Sequence, residues 1–183
     1  MMKHALTNSG WPRRAVAALV AVTLAVGLAG CAAGGGQTAA AATRQVKAIP
    51  GSAASTYVAS DSSYSGFTKE NGTTVQLTVE PGFQIPDPGK LVDFLIRLGW
   101  SVNDNKPNSE LFVVIDSAAP IDATAAAKGA GWKSASSLPD DSTGVFIDLK
   151  EVEKRLGGWP GKVPAMPAGV VVKDPVSPDP STR

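Results

Sequence analysis

A Gly-Trp pair recurs three times in the second half of the chain, each time between a helical pattern and an apolar run that ends in Asp. Gly99-Trp100 precedes Leu111-Phe112-Val113-Val114-Ile115-Asp116. Gly131-Trp132 precedes Val145-Phe146-Ile147-Asp148, and Gly158-Trp159 precedes Val170-Val171-Val172-Lys173-Asp174. The Trp-to-Asp separations are 16, 16 and 15 residues, and helical candidates at 88–98, 121–130 and 149–157 lead into the three pairs. The repeating unit therefore reads helix, Gly-Trp, turn, strand. Glycine is expected in the left-handed position that closes each helix. The indole is expected to fold back over the helix end, and the terminal Asp to cap the next helix. Buried aromatics of this size ordinarily serve a core. The functional alternative is a row of indoles, Trp100, Trp132 and Trp159, stacking on sugar rings.

Local patterns fill in the unit. Val75-Gln76-Leu77-Thr78-Val79 alternates with the period of a half-buried strand. Asp87-Pro88 is a helix start, with Asp as N-cap and Pro at the first helical position. Leu91, Phe94, Leu95 and Leu98 follow on one face, and Gly99 is expected at C′. Asp148-Leu149-Lys150-Glu151 has capping-box spacing. The middle helix, rich in Ala123, Ala125, Ala126, Ala127 and Ala130, can approach a sheet closely but buries little area, so it is expected to be the least stable element. The fold class is α+β: a small ferredoxin-like or βα-repeat domain. If Trp100–Val102 pairs with 111–116 as a hairpin, the order is that of a split βαβ plan. The length, the opening Val75-Gln76-Leu77 and the helix–glycine junctions resemble SPOR domains, envelope modules that bind peptidoglycan lacking stem peptides. The resemblance covers about half of the mature chain, implies a glycan-binding role, and transfers no binding residue.

Leu28-Ala29-Gly30-Cys31 resembles a bacterial lipobox: a cleavage signal of Leu28, Ala29 and Gly30 before a cysteine to be lipidated, Cys31. Lys3, Arg13 and Arg14 make a positive n-region, and residues 15–27 are apolar or small, the pattern of a secretory signal peptide. That run is shorter than the ~20 apolar residues of a spanning helix. The resemblance implies a thioether-linked diacylglycerol on Cys31, and two or more acyl chains anchor stably.

Removal of residues 1–30 leaves 14 basic and 16 acidic residues, a net charge of −2. Nucleic acid is a poor partner for such a chain, since phosphate binding needs a basic patch. His4 is the sole histidine and Cys31 the sole cysteine. A mature chain without histidine or free thiol excludes a Ser-His-Asp triad, a Cys-His pair, a disulfide and a His/Cys zinc site. No cofactor is implied. Any enzyme here would work through carboxylate, lysine, tyrosine or hydroxyl groups. The carboxylates Asp87, Asp122, Asp140, Asp141 and Glu151 fall at turns and helix starts, where the charged form is stabilised.

Four segments follow: a signal peptide (1–30), a lipidated low-complexity tether (31–66), an α+β globular domain (67–174) and a disordered Pro-rich tail (175–183). Residues 32–43 lack the large apolar side chains that would offset ordering, and Gly34-Gly35-Gly36 belongs to the tether. Asn103-Asp104-Asn105 resembles the start of an EF-hand loop, but Asn108 stands where glycine is required, so a turn is expected and no metal. Asp140-Asp141 is expected to be a solvated turn. The expectation is a lipid-anchored protein on the extracytoplasmic face of the cell membrane, a non-catalytic module for an envelope protein or glycan. Alternatives are a phage or mobile-element exclusion or immunity lipoprotein, a SPOR-like peptidoglycan binder, and a carboxylate-dependent glycan hydrolase.

Overall fold

The computed structural model describes residues 35–138 and 141–175, within the unit Ala32–Arg183. Leu28–Cys31, Asp140 and the tail from 176 lie outside the described residues. The elements run α1 (Ala39–Lys47), β1 (Tyr57–Ser65), β2 (Thr68–Val79), β3 (Phe83–Gln84), α2 (Pro88–Trp100), β4 (Glu110–Ser117), α3 (Ala123–Gly129), β5 (Ser136–Leu138), β6 (Asp141–Ile147), α4 (Leu149–Leu156) and β7 (Val172–Lys173). The protein is α+β. A mixed five-stranded sheet has the order β1-β2-β4-β6-β5, and β3 pairs with β7 separately.

Alternation fixes which face of the sheet is covered. Val75, Leu77 and Val79 of β2, Leu111, Val113 and Ile115 of β4, and Val145 and Ile147 of β6 are all buried. On the opposite face Phe112 and Phe146, directly paired across β4 and β6, stack at 4.1 Å between centroids and remain partly exposed. Helix α2 covers β2 and β4 and also packs against α3, so its burial extends beyond the Leu91–Phe94–Leu95–Leu98 stripe to Val92 and Ile96.

β2 and β4 are parallel, from Gly72↔Glu110 to Val79↔Ser117. Parallel neighbours need a crossover, and α2 supplies it. The expected hairpin between Trp100–Val102 and 111–116 is therefore not formed. Trp100 ends α2, Ser101 is its C-cap, and Val102 makes a parallel bridge to Gln37. The helix–Gly-Trp–strand order does occur three times, but the third strand, β7, lies outside the main sheet.

The three glycines of the repeat do different things. Gly131 has φ +89° just beyond α3, as expected. Gly99 is helical instead, and is small for packing: a Cβ there would lie 2.6 Å from Leu111 Cδ1 and 3.1 Å from Val75 Cγ2. At the end of α4 the positive φ falls on Gly157, at +86°, one residue before the pair.

The tether expectation for 31–66 is corrected from Gly35 onward. Thr38 caps α1 through its hydroxyl, 3.2 Å from the Ala41 N–H, and Ala42 and Val46 are buried. Gln37 donates from Nε2 to the Ser101 hydroxyl at 3.0 Å, and Gln45 to the Pro164 carbonyl at 2.6 Å. Gly36 is wedged against Pro160 and the Ser101 carbonyl. All nine residues of β1 pair antiparallel with β2. Alanine-rich sequence lacks large apolar side chains, yet its small side chains let α1 pack against β1 while long-range hydrogen bonds fix it.

Candidate functional site

The polar side of α2 and the C-terminal halves of α3 and α4 converge on one set of charges. Asp93 and Arg97 stand four residues apart on α2 and form an ion pair, Arg97 Nε to Asp93 Oδ2 at 2.7 Å. The other carboxylate oxygen, Oδ1, accepts the indole N–H of Trp132 at 3.1 Å. Trp132 is fully buried, and the Arg155 guanidinium lies over its ring, 3.8 Å from the centroid. Arg155 also donates to the Ala130 carbonyl at 3.2 Å, closing the C-terminus of α3.

A groove of about 790 Å³ runs between α2 and α3 above these residues, lined by Asp87, Lys90, Asp93, Arg97, Ile121, Asp122, Ala126, Ala130 and Arg155, among others. Arg97 and Arg155 also line a second groove of about 550 Å³, together with Trp100, Leu156 and Lys162. Arg97 and Arg155 thus line both depressions. Arg97 meets Asp93 through Nε, which leaves its terminal N–H groups for a ligand.

The carboxylates around the groove are committed elsewhere. Asp87 Oδ1 accepts from the Lys90 N–H at 2.9 Å, capping α2 as expected, and Asp122 Oδ1 accepts from the Ala125 N–H at 2.7 Å, capping α3. Asp148 caps α4 through the Lys150 N–H at 2.7 Å. The capping box, however, does not close. Glu151 reaches back to the Lys133 and Ser134 N–H groups at 2.8 and 2.7 Å, and Ser134 Oγ accepts the Asp148 N–H. Burial by itself would raise the Glu151 pKa. Hydrogen bonds from the Ser134 hydroxyl and from the Ser134 and Lys133 N–H groups, together with the Arg155 charge, outweigh it and hold the carboxyl below the ordinary range. Asp104 belongs to a cap as well: its Oδ2 accepts the Ala39 N–H at 2.5 Å, at the first turn of α1. Asp116, one residue before the end of β4, does not cap the next helix as expected; Asp122 caps α3 instead.

The three tryptophans do not form an open stacking row. Trp100 and Trp132 are 1% and 0% exposed, which leaves no ring face to a sugar. Trp159 is partly buried and packed on the core. Trp100 donates to the Gly157 carbonyl at 3.1 Å and Trp159 to the Val102 carbonyl at 2.9 Å, so the ends of α2 and α4 hold each other reciprocally. Gly161 closes this junction: its N–H bonds the Trp100 carbonyl, and a Cβ on it would meet the Trp100 ring at 2.5 Å.

Sequence reasoning missed Asp93, Arg97 and Arg155. The i,i+4 spacing of Asp93 and Arg97 was a readable signal. Nothing in the sequence linked them to Arg155, because that juxtaposition depends on how α4 docks beside α3. Among the described residues no group of three or more His, Cys, Asp or Glu side chains could hold a metal ion, and no helix is long and apolar enough to cross a membrane. Compared with known proteins, the chain matches no family model, no curated protein and no solved structure.

Proposed function

We propose that this is a lipid-anchored protein of the cell envelope, held through Cys31, that binds an anionic ligand in the groove between α2 and α3 without chemical turnover. The lipobox-like Leu28-Ala29-Gly30-Cys31 supports the address. One observation carries the binding reading: Arg97 and Arg155 are held in place by Asp93 and Trp132 while they line the grooves. Guanidiniums positioned this way suit a planar carboxylate or a phosphate. Ile121, Ala126 and Ala130 beside them offer apolar contact. The neighbouring Asp87 and Asp122 are engaged in capping helix N-termini, which supports a positioning role for them beside the ligand.

The ligand class fits an envelope glycan with carboxylate-bearing peptide stems, or an acidic segment of an envelope protein. Titration of the detergent-solubilised protein with cell-wall fragments carrying free carboxylates tests this, with fragments whose carboxylates are amidated as comparison. Binding of the free-acid fragments and its loss in Arg97→Gln/Arg155→Gln are expected. Binding indifferent to both changes, or mass-spectrometric detection of cleaved fragments, would contradict the reading.

A further inference from the structure

The hairpin of β1 and β2 carries two exposed aromatic residues at its tip, Tyr64 and Phe67. Two residues, Gly66 and Phe67, join Ser65 to Thr68, and Gly66 takes φ +64°. Turn positions of this kind ordinarily hold polar or small residues. Here Phe67 is fully exposed and Tyr64, three residues earlier, is 74% exposed. The third strand, β4, reaches only to the level of Gly72, so residues 68–71 and their partners form a two-stranded ribbon beyond it, backed at Lys69 and Asn71 by the loop before β4. At the rise of a strand, those four residues carry the tip about 13 Å past the end of β4.

The loop between α2 and β4 ties this ribbon to the start of the described chain. Gln37 exchanges backbone hydrogen bonds with Ser101 and Asn103, at 2.7 and 2.8 Å, and Asp104 holds the first turn of α1. A few residues further on, the same loop holds the ribbon. Asn71 donates to the Lys106 carbonyl at 3.1 Å and Asn108 to the Lys69 carbonyl at 2.9 Å. Gly35 and the aromatic tip therefore lie at one end of the sheet. Cys31 is four residues before Gly35, and four extended residues reach about 14 Å at most, so a chain anchored through Cys31 is tethered at this end of the sheet.

We infer that the tip is a second membrane contact, with Phe67 and Tyr64 seated in the interface of the bilayer that holds the lipid. This rests on the lipid anchor proposed above. Tyrosine favours that depth, where its apolar ring and polar hydroxyl are both accommodated, and phenylalanine adds apolar area beside it. Tethering makes the contact intramolecular, so a small patch suffices. Two contacts at one end would stand the domain on the membrane with the N-termini of α2 and α3 directed away from it.

The test uses the full-length lipoprotein in phosphatidylcholine–phosphatidylglycerol vesicles. A solvatochromic dye is placed on Ser65→Cys or, as a control at the opposite end of β2, on Glu80→Cys. Intact mass reports the lipid on Cys31 independently. The expected result is a blue-shifted dye at position 65, quenched by spin-labelled lipid, an aqueous dye at position 80, and loss of the shift when Phe67→Ser and Tyr64→Ser are added. An aqueous dye at position 65 on lipidated protein overturns the inference and leaves the anchor standing. A mass without lipid overturns the anchor and, with it, the inference that depends on the tether. A shift seen only on native envelope membranes assigns the tip to a protein partner and overturns the inference.

Discussion

Asp93 and Trp132 lie 39 residues apart and are joined by a hydrogen bond of 3.1 Å from the buried indole to Oδ1, while Oδ2 of the same carboxylate holds Arg97. One side chain thus couples a core residue to the cation that lines the groove. Replacing Trp132 with Ala empties a fully buried site and is expected to destabilise by about 3–5 kcal/mol, the range for large aromatic truncations. Trp132→Phe keeps most of the packing but strands Asp93 Oδ1, with an expected loss of about 1–2 kcal/mol. Urea melts check both. A Trp132→Ala variant that melts like the wild type would return the indole to the binding face.

Gly99 and Gly129 make a contrasting pair. Alanine is favoured over glycine in helices by roughly 1 kcal/mol. At Gly129, the last residue of α3, an added Cβ meets nothing within 4 Å, so Gly129→Ala is expected to stabilise by up to about 1 kcal/mol. At Gly99 the new methyl would drive into Leu111, itself fully buried, and overpacking of that kind costs about 1–3 kcal/mol. Gly99→Ala should therefore lower the melting temperature while Gly129→Ala raises it.

Glu151 sets a pH dependence. Its folded-state pKa is lowered, so ionisation favours the folded chain. That contribution is fully present above the unfolded value near 4.5 and is lost as pH falls through the lower folded value. Glu151→Gln should be less stable than the wild type at neutral pH. The difference should shrink as thermal melts are taken from pH 6 down through 4.5 and below. A constant difference would mean that the carboxylate charge is not what the Lys133 and Ser134 N–H groups hold.

Legibility in the sequence followed the range of the interactions. Local chemistry was readable: Asp87 and Asp148 are N-caps, and the alternation in 75–79 buries Val75, Leu77 and Val79. What depended on distant partners was not. Trp100 ends a helix because α2 must cross over between parallel strands, and residue 99 must be small because Leu111 sits against it. The segments 39–47 and 57–65 carry little apolar signal, Tyr57, Val58 and Tyr64 aside, because they are ordered by contacts such as Gln45 with Pro164 and Thr43 with Val58. The candidate site failed to announce itself for the same reason. Asp93 and Arg97 share one helix turn, but Arg155 reaches them only through Trp132, on a separate element.

The anchor remains the claim on which the rest turns, and Cys31 is where it is tested. Wild type and Cys31→Ser are grown with an alkyne fatty acid and the labelled protein is read after click conjugation. The account predicts label on the wild type and none on the variant, which should persist as an uncleaved or mislocalised precursor. Equal labelling of the two would contradict it.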